Sequence, residues 1–337
     1  MMIERYSRQQ LFAPIGREGQ RKLHNSHVLV VGLGALGTVI ADQFARAGIG
    51  KMTIIDRDYV EWSNLQRQTL YDESDARTVL PKAIAAERKI KEINAEVELE
   101  AIVADVTSSN IKPWVAAADI VLDGTDNFAT RYLLNDASFL LNKPYIYGAA
   151  VGSQGMSASF IPERTPCLRC ILPEVTRGAP TCETAGVIAP IVSLIASIQM
   201  TEALKWLTGH VDSMRRSLIT YDIWQGSSFE IKFSLPRATC SVCANRHYPS
   251  LSEQVSNEVI ALCGRESVQI TNNTELNLDE WETTLSKVGK ISRNPYLLKV
   301  ELENNMRMIL FSDGRVLIQG TTDILRAKSI FSRYFST

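Results

Sequence analysis

Four cysteines stand in two pairs with identical spacing, Cys167-Leu-Arg-Cys170 and Cys240-Ser-Val-Cys243. Two residues between thiolates let both sulfurs reach one ion, so two such pairs suit a tetrahedral zinc site with four cysteine ligands. Four thiolates leave no open coordination position, which makes the expected role of Zn2+ structural. One or two redox dithiols are the other chemistry the spacing permits. A second constellation is Gly32-Leu33-Gly34-Ala35-Leu36-Gly37, which matches G-x-G-x-x-G. Gly32, Gly34 and Gly37 allow a tight turn and close approach of the backbone to a ligand. The helix that follows offers free N–H groups and partial positive charge to an anion. Asp56 lies nineteen residues past Gly37 and can accept hydrogen bonds from ribose hydroxyls. These residues alone specify an adenine nucleotide, and an NAD-dependent oxidoreductase would use the same loop.

A third group favours ATP. Arg67, within Ser63-Asn64-Leu65-Gln66-Arg67-Gln68, can grip phosphate oxygens in a bidentate manner, and Asn64 can serve phosphate or ribose. Lys82, after Pro81, can act as a point charge on the phosphates. Asp126, in Asp123-Gly124-Thr125-Asp126-Asn127, can hold Mg2+ against them. A dehydrogenase needs no triphosphate clamp. Two cations and a carboxylate around phosphates suit nucleotidyl transfer.

The elements that must position these groups follow from the hydrophobic pattern. His27 to Gly32 is a short apolar run that predicts a buried strand, Ala35 to Ala47 predicts a helix stopped by Gly48, and Lys51 to Asp56 predicts a second strand. This is the βαβ unit of a parallel sheet. A helix over Pro81 to Ile93, strands over Val97 to Val103, Asp119 to Asp123 and Pro144 to Ala149, and a helix from Asn127 to Leu141 continue the alternation. The expected fold is α/β, a doubly wound, mostly parallel Rossmann-like sheet. Strands over Met156 to Ile161, Leu218 to Tyr221 and Phe229 to Phe233 would extend it in antiparallel fashion. The apolar stretch from Gly186 to Leu207 is interrupted by Gln199, Glu202 and Lys205 and reads as a buried core helix.

A polar, irregular stretch from Ala244 to Asn257 reads as a linker between a domain over 1–248 and a small α+β domain over 258–337. The latter reads as a helix (Asp279 to Lys287), strands (Tyr296 to Leu302, Met306 to Phe311, Arg315 to Gln319) and a helix (Thr322 to Tyr334). Asp313-Gly314 marks a hairpin. The stripe Ile324, Leu325, Ala327, Ile330, Phe331 and Phe335 reads as that domain's own core. Cys263 reads as a buried small hydrophobe and Cys182 as an exposed cysteine in a loop.

The formal net charge of -1 argues against a nucleic-acid binder. The N-terminus lacks an apolar h-region, and no segment is suited to cross a membrane, so a cytoplasmic location is expected.

The ordered series Arg5-Tyr-Ser-Arg8-Gln, the glycine loop, Asp56 to Val60, Ser63 to Gln68, Pro81-Lys82, Asp123 to Asn127 and the two cysteine pairs resembles the MoeB/ThiF/HesA family. These are ubiquitin-activating-enzyme-like adenylyltransferases, and the likeness covers about residues 1 to 248. The resemblance implies that Ala35, Asp56, Ser63, Asn64, Leu65, Gln66, Arg67, Lys82, Asp126 and Asn127 line an ATP site. It implies that Arg8 enters the neighbouring subunit's site in a homodimer, and that Cys182 matches a cysteine some members use covalently in sulfur transfer. The implied partner is a ubiquitin-fold sulfur-carrier protein, ThiS- or MoaD-type, ending in Gly-Gly. Its carboxylate would be adenylated before thiocarboxylate formation in thiamin or molybdenum cofactor biosynthesis. Ala35 departs from a position that is often glycine.

Overall fold

A computed structural model describes residues 2–172, 185–234, 236–252, 259–262, 266–271 and 274–335. The chain divides into two units: Met1–Asp58, Trp62–Asp72 and Lys82–Gln254 form the first, and Tyr59–Glu61, Glu73–Pro81 and Val255–Thr337 the second.

The first unit holds an eight-stranded sheet built from β1 (His27–Val31), β2 (Lys51–Asp56), β3 (Glu98–Val103), β4 (Ile120–Asp123), β5 (Tyr145–Val151), β6 (Gln154–Phe160), β7 (Ser217–Asp222) and β8 (Ser227–Lys232). The order is β3-β2-β1-β4-β5-β6-β7-β8. The first five strands pair in parallel and the last three are added antiparallel. The inner parallel strands β1, β2 and β4 are largely apolar and buried because helices cover both faces, whereas the edge strand β3 carries Glu98 and Glu100. Those helices include α1 (Gly16–His24), α2 (Ala35–Ala47), α3 (Lys82–Ile93), α4 (Ile111–Ala117), α5 (Phe128–Leu140) and α6 (Ala189–Thr208). The chain order reverses between β1 and β4, and there the carboxyl ends of the strands open a crevice for a ligand.

Helix α6 is the expected core helix, with Ile191, Ile195 and Ala203 fully buried. Its interrupting polar residues are used: Gln199 Nε2 donates to the carbonyls of Asp123 (2.8 Å) and Ile146 (3.2 Å). The helix is thereby pinned to the end of β4. No described helix is long and apolar enough to cross a membrane.

The second unit contains a fully antiparallel sheet in the order β11-β12-β13-β14-β10-β9. Its strands are β9 (Val259–Leu262), β10 (Ser267–Thr271), β11 (Lys290–Arg293), β12 (Leu297–Glu301), β13 (Arg307–Phe311) and β14 (Arg315–Gln319). Helices α7 (Leu278–Leu285) and α8 (Ile324–Phe335) pack on one face over Val300, Met308, Leu310 and Ile318. At Asp313-Gly314 the hairpin loop has three residues, because Phe311 and Arg315 flank it and Gly314 takes φ 93°.

Three expectations change. Strands β9, β10 and β11 are additions; each is short, and Lys290–Arg293 is too polar to signal a strand by periodicity. Residues 244–252 are not linker: Ser250 N–H donates to Asp136 Oδ2 (3.0 Å), and Arg169 donates to Ser250 Oγ (2.6 Å). In α8, Ala327 is buried and Ile330, Phe331 and Phe335 pack beside it, but Ile324 and Leu325 are exposed. They occupy the first turn, where Asp323 Oδ1 accepts Leu325 N–H at 2.8 Å, and Leu325 points away from the Ala327 face.

Candidate adenylate site and four-cysteine centre

The glycine loop follows β1 directly. Gly32 takes φ +84°, and a Cβ there would strike the Gly124 carbonyl at 2.8 Å. A Cβ on Gly37 would collide with the Gly32 carbonyl. These two glycines therefore serve the packing of β1, α2 and the β4 loop. Gly34 differs: its Cβ would meet only the Gly124 carbonyl oxygen, at an ordinary 3.7 Å. Gly34 also caps α2 without a side-chain hydrogen bond, so no capping side chain takes the first-turn N–H groups of α2 that an anion would use.

Asp56 closes β2 beside this turn. Its Oδ2 accepts Leu33 N–H (2.6 Å) and its Oδ1 accepts Asp58 N–H (2.7 Å). Burial raises its pKa, and Lys82 and the two N–H donors work against that rise. Lys82, at the start of α3, is 2 % exposed, with Nζ 3.5 Å from Asp58 Oδ2. Tyr71 Oη links the parts, donating to the carbonyls of Leu33 (2.8 Å) and Lys82 (3.3 Å). The glycine loop, Asp56 and Lys82 thus converge.

The turn containing Ser63, Asn64, Leu65, Gln66 and Arg67 is held to the same helix, because Thr69 N–H donates to Thr38 Oγ1 of α2 (3.3 Å). Asn64 is buried, and Arg67 Nη1 donates to the Ser63 carbonyl (2.9 Å). Gln66 is exposed and donates to the Val187 carbonyl (3.4 Å). Asp126 is exposed in the loop after β4. Asn127 is the N-cap of α5, its Oδ1 accepting Thr130 N–H at 2.8 Å.

Sequence reasoning passed over the groups that fix this loop. Asp123 is fully buried: Oδ1 accepts the Thr125 N–H (2.8 Å) and hydroxyl (2.7 Å), and Oδ2 accepts the Tyr145 hydroxyl (2.6 Å). Arg131 Nε lies 3.5 Å from Asp123 Oδ2, and its Nη2 donates to the Thr125 carbonyl (2.7 Å). Burial raises the Asp123 pKa, opposed by Arg131 and the hydroxyl donors. Burial, then Asp123, raises that of Tyr145 well above normal. The signal was present in Asp123 itself, a carboxylate closing an apolar strand. Asp123→Asn would leave Arg131 buried without its counter-charge, and a loss of about 3–5 kcal/mol in urea unfolding is expected. A loss below about 1 kcal/mol would contradict this network.

Arg8 is exposed in the helical turn Ser7–Leu11. The turn is anchored from behind: Gln9 Nε2 donates to Gln20 Oε1 (2.8 Å) and to the Ala47 carbonyl (2.9 Å). Asn94 Nδ2 donates to the Tyr6 hydroxyl (2.9 Å). This anchoring presents Arg8 outward.

Cys167, Cys170, Cys240 and Cys243 come together, with all four sulfurs within 4.8 Å of one another. Cys167 and Cys240 Sγ lie 3.6 Å apart, and Cys170 and Cys243 Sγ 3.4 Å. A tetrahedron with Zn–S of about 2.3 Å has edges of about 3.8 Å, so the cluster fits zinc. Asp136 clamps the surroundings: Arg169 donates to both its oxygens at 3.0 Å, and Ser250 N–H to one of them. One buried carboxylate therefore ties the first cysteine turn to the segment after the second. Cys182 and Cys263 lie outside the described residues.

Comparison with known proteins agrees with this geometry. The ThiF family model matches residues 6–242. The sulfur carrier protein ThiS adenylyltransferase of Bacillus subtilis is 44% identical over 337 residues, covering 99% of each chain. The sulfur carrier protein adenylyltransferase of Thermus thermophilus is 36% identical, covering 78% of this chain and 97% of its own. Among solved structures, that of E. coli MccB with ATP superposes with a TM-score of 0.61 at 23% identity, covering 71% of this chain and 74% of its own, a likeness of fold. The match of the family model over most of the chain, joined to this identity over its whole length, makes the chain a member of the ThiF family.

Proposed function

We propose that this protein is an adenylyltransferase that activates the C-terminal glycine carboxylate of a ubiquitin-fold sulfur-carrier protein with Mg-ATP. The observation that carries the reading is the 44% identity to a ThiS adenylyltransferase across both units. That relative is named for the carrier ThiS, which favours a ThiS-type carrier over a MoaD-type one. The relatives named above are adenylyltransferases, which supports nucleotidyl transfer over the nicotinamide reading.

The carrier's carboxylate is an anion at neutral pH and needs no general base. One of its oxygens attacks the α-phosphorus of ATP, the bond to the bridging oxygen breaks, and pyrophosphate leaves. Catalysis is then positioning and charge neutralisation. The first turn of α2 receives phosphate and Asp56 the ribose. Arg67 and Lys82 neutralise the polyphosphate. Asp126 would hold Mg2+, which supplies further charge neutralisation at the phosphates. A protein partner has an available surface. The edge strand β8 is exposed along its length, and Phe229 and Ile231 on it and Trp224 in the preceding turn are exposed apolar groups.

The reading includes a homodimer in which Arg8 completes the partner subunit's site. Arg8→Ala and Lys82→Met would then each abolish activity, and a mixture of the two would regain part of it, because one hybrid site carries both intact residues. No regain after subunit exchange would remove the shared site from the account. Cys182 is proposed as the residue used covalently after adenylation, with Cys182→Ala leaving adenylation itself intact. ATP–pyrophosphate exchange with purified ThiS-type and MoaD-type carriers tests the assignment. Exchange dependent on a carrier is the expected result, and none with either carrier would overturn it.

A further inference from the structure

Between Asp58 and Lys82 the chain leaves the first unit twice. Tyr59–Glu61 and Glu73–Pro81 belong to the second unit, with the C-terminal sheet, whereas Trp62–Asp72 and Lys82 belong to the first. The two stems pair: Tyr59 and Pro81 form an antiparallel bridge, and Val60 N–H donates to the Leu80 carbonyl (2.8 Å). One peptide bond beyond these stems stand Asp58 and Lys82, whose side chains pair at 3.5 Å and whose backbones bond at 2.9 Å.

The second stem holds an uncommon backbone conformation. Val79 takes φ +53° while buried, a region β-branched residues avoid. Asn294, in the turn between β11 and β12, holds it there. Its Nδ2 donates to the carbonyls of Thr78 (3.1 Å) and Val79 (2.8 Å). Its Oδ1 accepts Tyr296 N–H (2.9 Å) and Leu297 N–H (3.0 Å). Both amide donors therefore serve the stem, and the acceptor fixes the amide within its own turn. The other stem is held from the same sheet: the Tyr59 hydroxyl donates to Gln319 Oε1 (3.1 Å), and Lys299 Nζ lies 5.9 Å from the Tyr59 ring centroid.

We infer that Asn294 is a positioning residue for Lys82, and that the C-terminal unit serves nucleotide binding by clamping the stem that leads into α3. The inference rests on the assignment of Lys82 to the phosphates. Without the two amide donors, Val79 relaxes toward negative φ, and the start of α3 shifts with it. The loss falls on ATP and spares the carrier.

The test is Asn294→Asp in the full-length, zinc-loaded protein. This change keeps the acceptor, removes both donors and sets a carboxylate against two carbonyl oxygens. Calorimetry should show Mg-ATP binding weakened about tenfold with carrier affinity unchanged. The amides of Leu80 and Lys82 should exchange hydrogen faster by a similar factor. Adding Val79→Gly should restore most of the Mg-ATP affinity, because glycine adopts φ +53° without strain. Wild-type Mg-ATP affinity in folded Asn294→Asp, or a loss that Val79→Gly leaves unrepaired, would overturn the inference. If Asn294→Asp does not fold, the wild type decides: Mg-ATP should raise protection at Leu80 and Leu297 together, and unchanged exchange at Leu297 would count as refutation. A wild type that binds Mg-ATP but adenylates no carrier would sink the proposed function and leave these binding readouts standing.

Discussion

Lys82→Met should abolish carrier-dependent ATP–pyrophosphate exchange and destabilise the fold in the same stroke. Lys82 is the buried cation beside two carboxylates, 3.5 Å from Asp58 and electrostatically coupled to Asp56. In the role proposed for it at the phosphates it would be a preorganised, buried charge, and removing such a charge costs on the order of a hundred- to a thousandfold in rate. In the free protein its removal takes the buried counter-charge from Asp56 and leaves Asp58 only the more distant Arg57, whose Nε lies 3.9 Å from Asp58 Oδ1, at a cost of about 3–5 kcal/mol. The pH dependence has a definite sign. The Asp56 carboxyl already has a raised pKa in the folded protein, and losing Lys82 raises it further. A carboxyl with a raised folded pKa favours folding in acid and loses that contribution as pH rises through its folded pKa. The stability deficit of Lys82→Met should therefore be greatest near neutrality and narrow as pH falls toward the ordinary carboxylate range. Urea unfolding across that range measures it. A deficit that widens in acid would mean that Lys82 is not the counter-charge of these carboxylates.

Loss of the four-cysteine centre should be the largest stability effect in the molecule. Structural zinc contributes an apparent binding free energy on the order of 10 kcal/mol in small domains, well beyond any one hydrogen bond. The burden is local: among the described residues, Cys167, Cys170 and Cys240 form a small buried cluster with Val242, against which Phe139 and Tyr248 pack. Thiols must lose their protons to bind a metal, so zinc affinity should fall steeply with acid. Cys170→Ala should purify without zinc and unfold several kcal/mol more readily. One zinc per chain in the wild type, measured by elemental analysis, is the expected result. A zinc-free wild type of full stability would contradict a structural metal.

Much of the site was legible because its residues are contiguous motifs. Gly32 to Gly37 declares a turn between strand and helix by itself, and each cysteine pair reports its own geometry. Even so, the motif did not tell which glycine leaves room for a ligand. Gly32 and Gly37 are required by the close approach of Gly124 and the Gly32 carbonyl, and only Gly34 has room beside it. The Asp123, Arg131 and Tyr145 network escaped because it joins residues from β4, α5 and β5 that no local pattern connects. Residues 244–252 read as linker because their partners, Asp136 and Arg169, lie far back in the chain. Strands β9 to β11 are four or five residues long and are held by pairing with neighbours, too short for a pattern to stand out from the surrounding chain. The stems around Tyr59 and Val79 could not be foreseen, since their assignment to the second unit follows from its sheet and not from their own composition.

Intact-mass measurement of a ThiS-type carrier incubated with this protein and Mg-ATP bears most directly on the central claim. The carrier should gain the mass of one AMP at its C-terminal glycine, and hydroxylamine should remove it. A carrier lacking the final Gly-Gly should gain nothing. A carrier unchanged in mass, with ATP intact and the zinc site full, would contradict the assignment of this ThiF-family chain as a carrier adenylyltransferase.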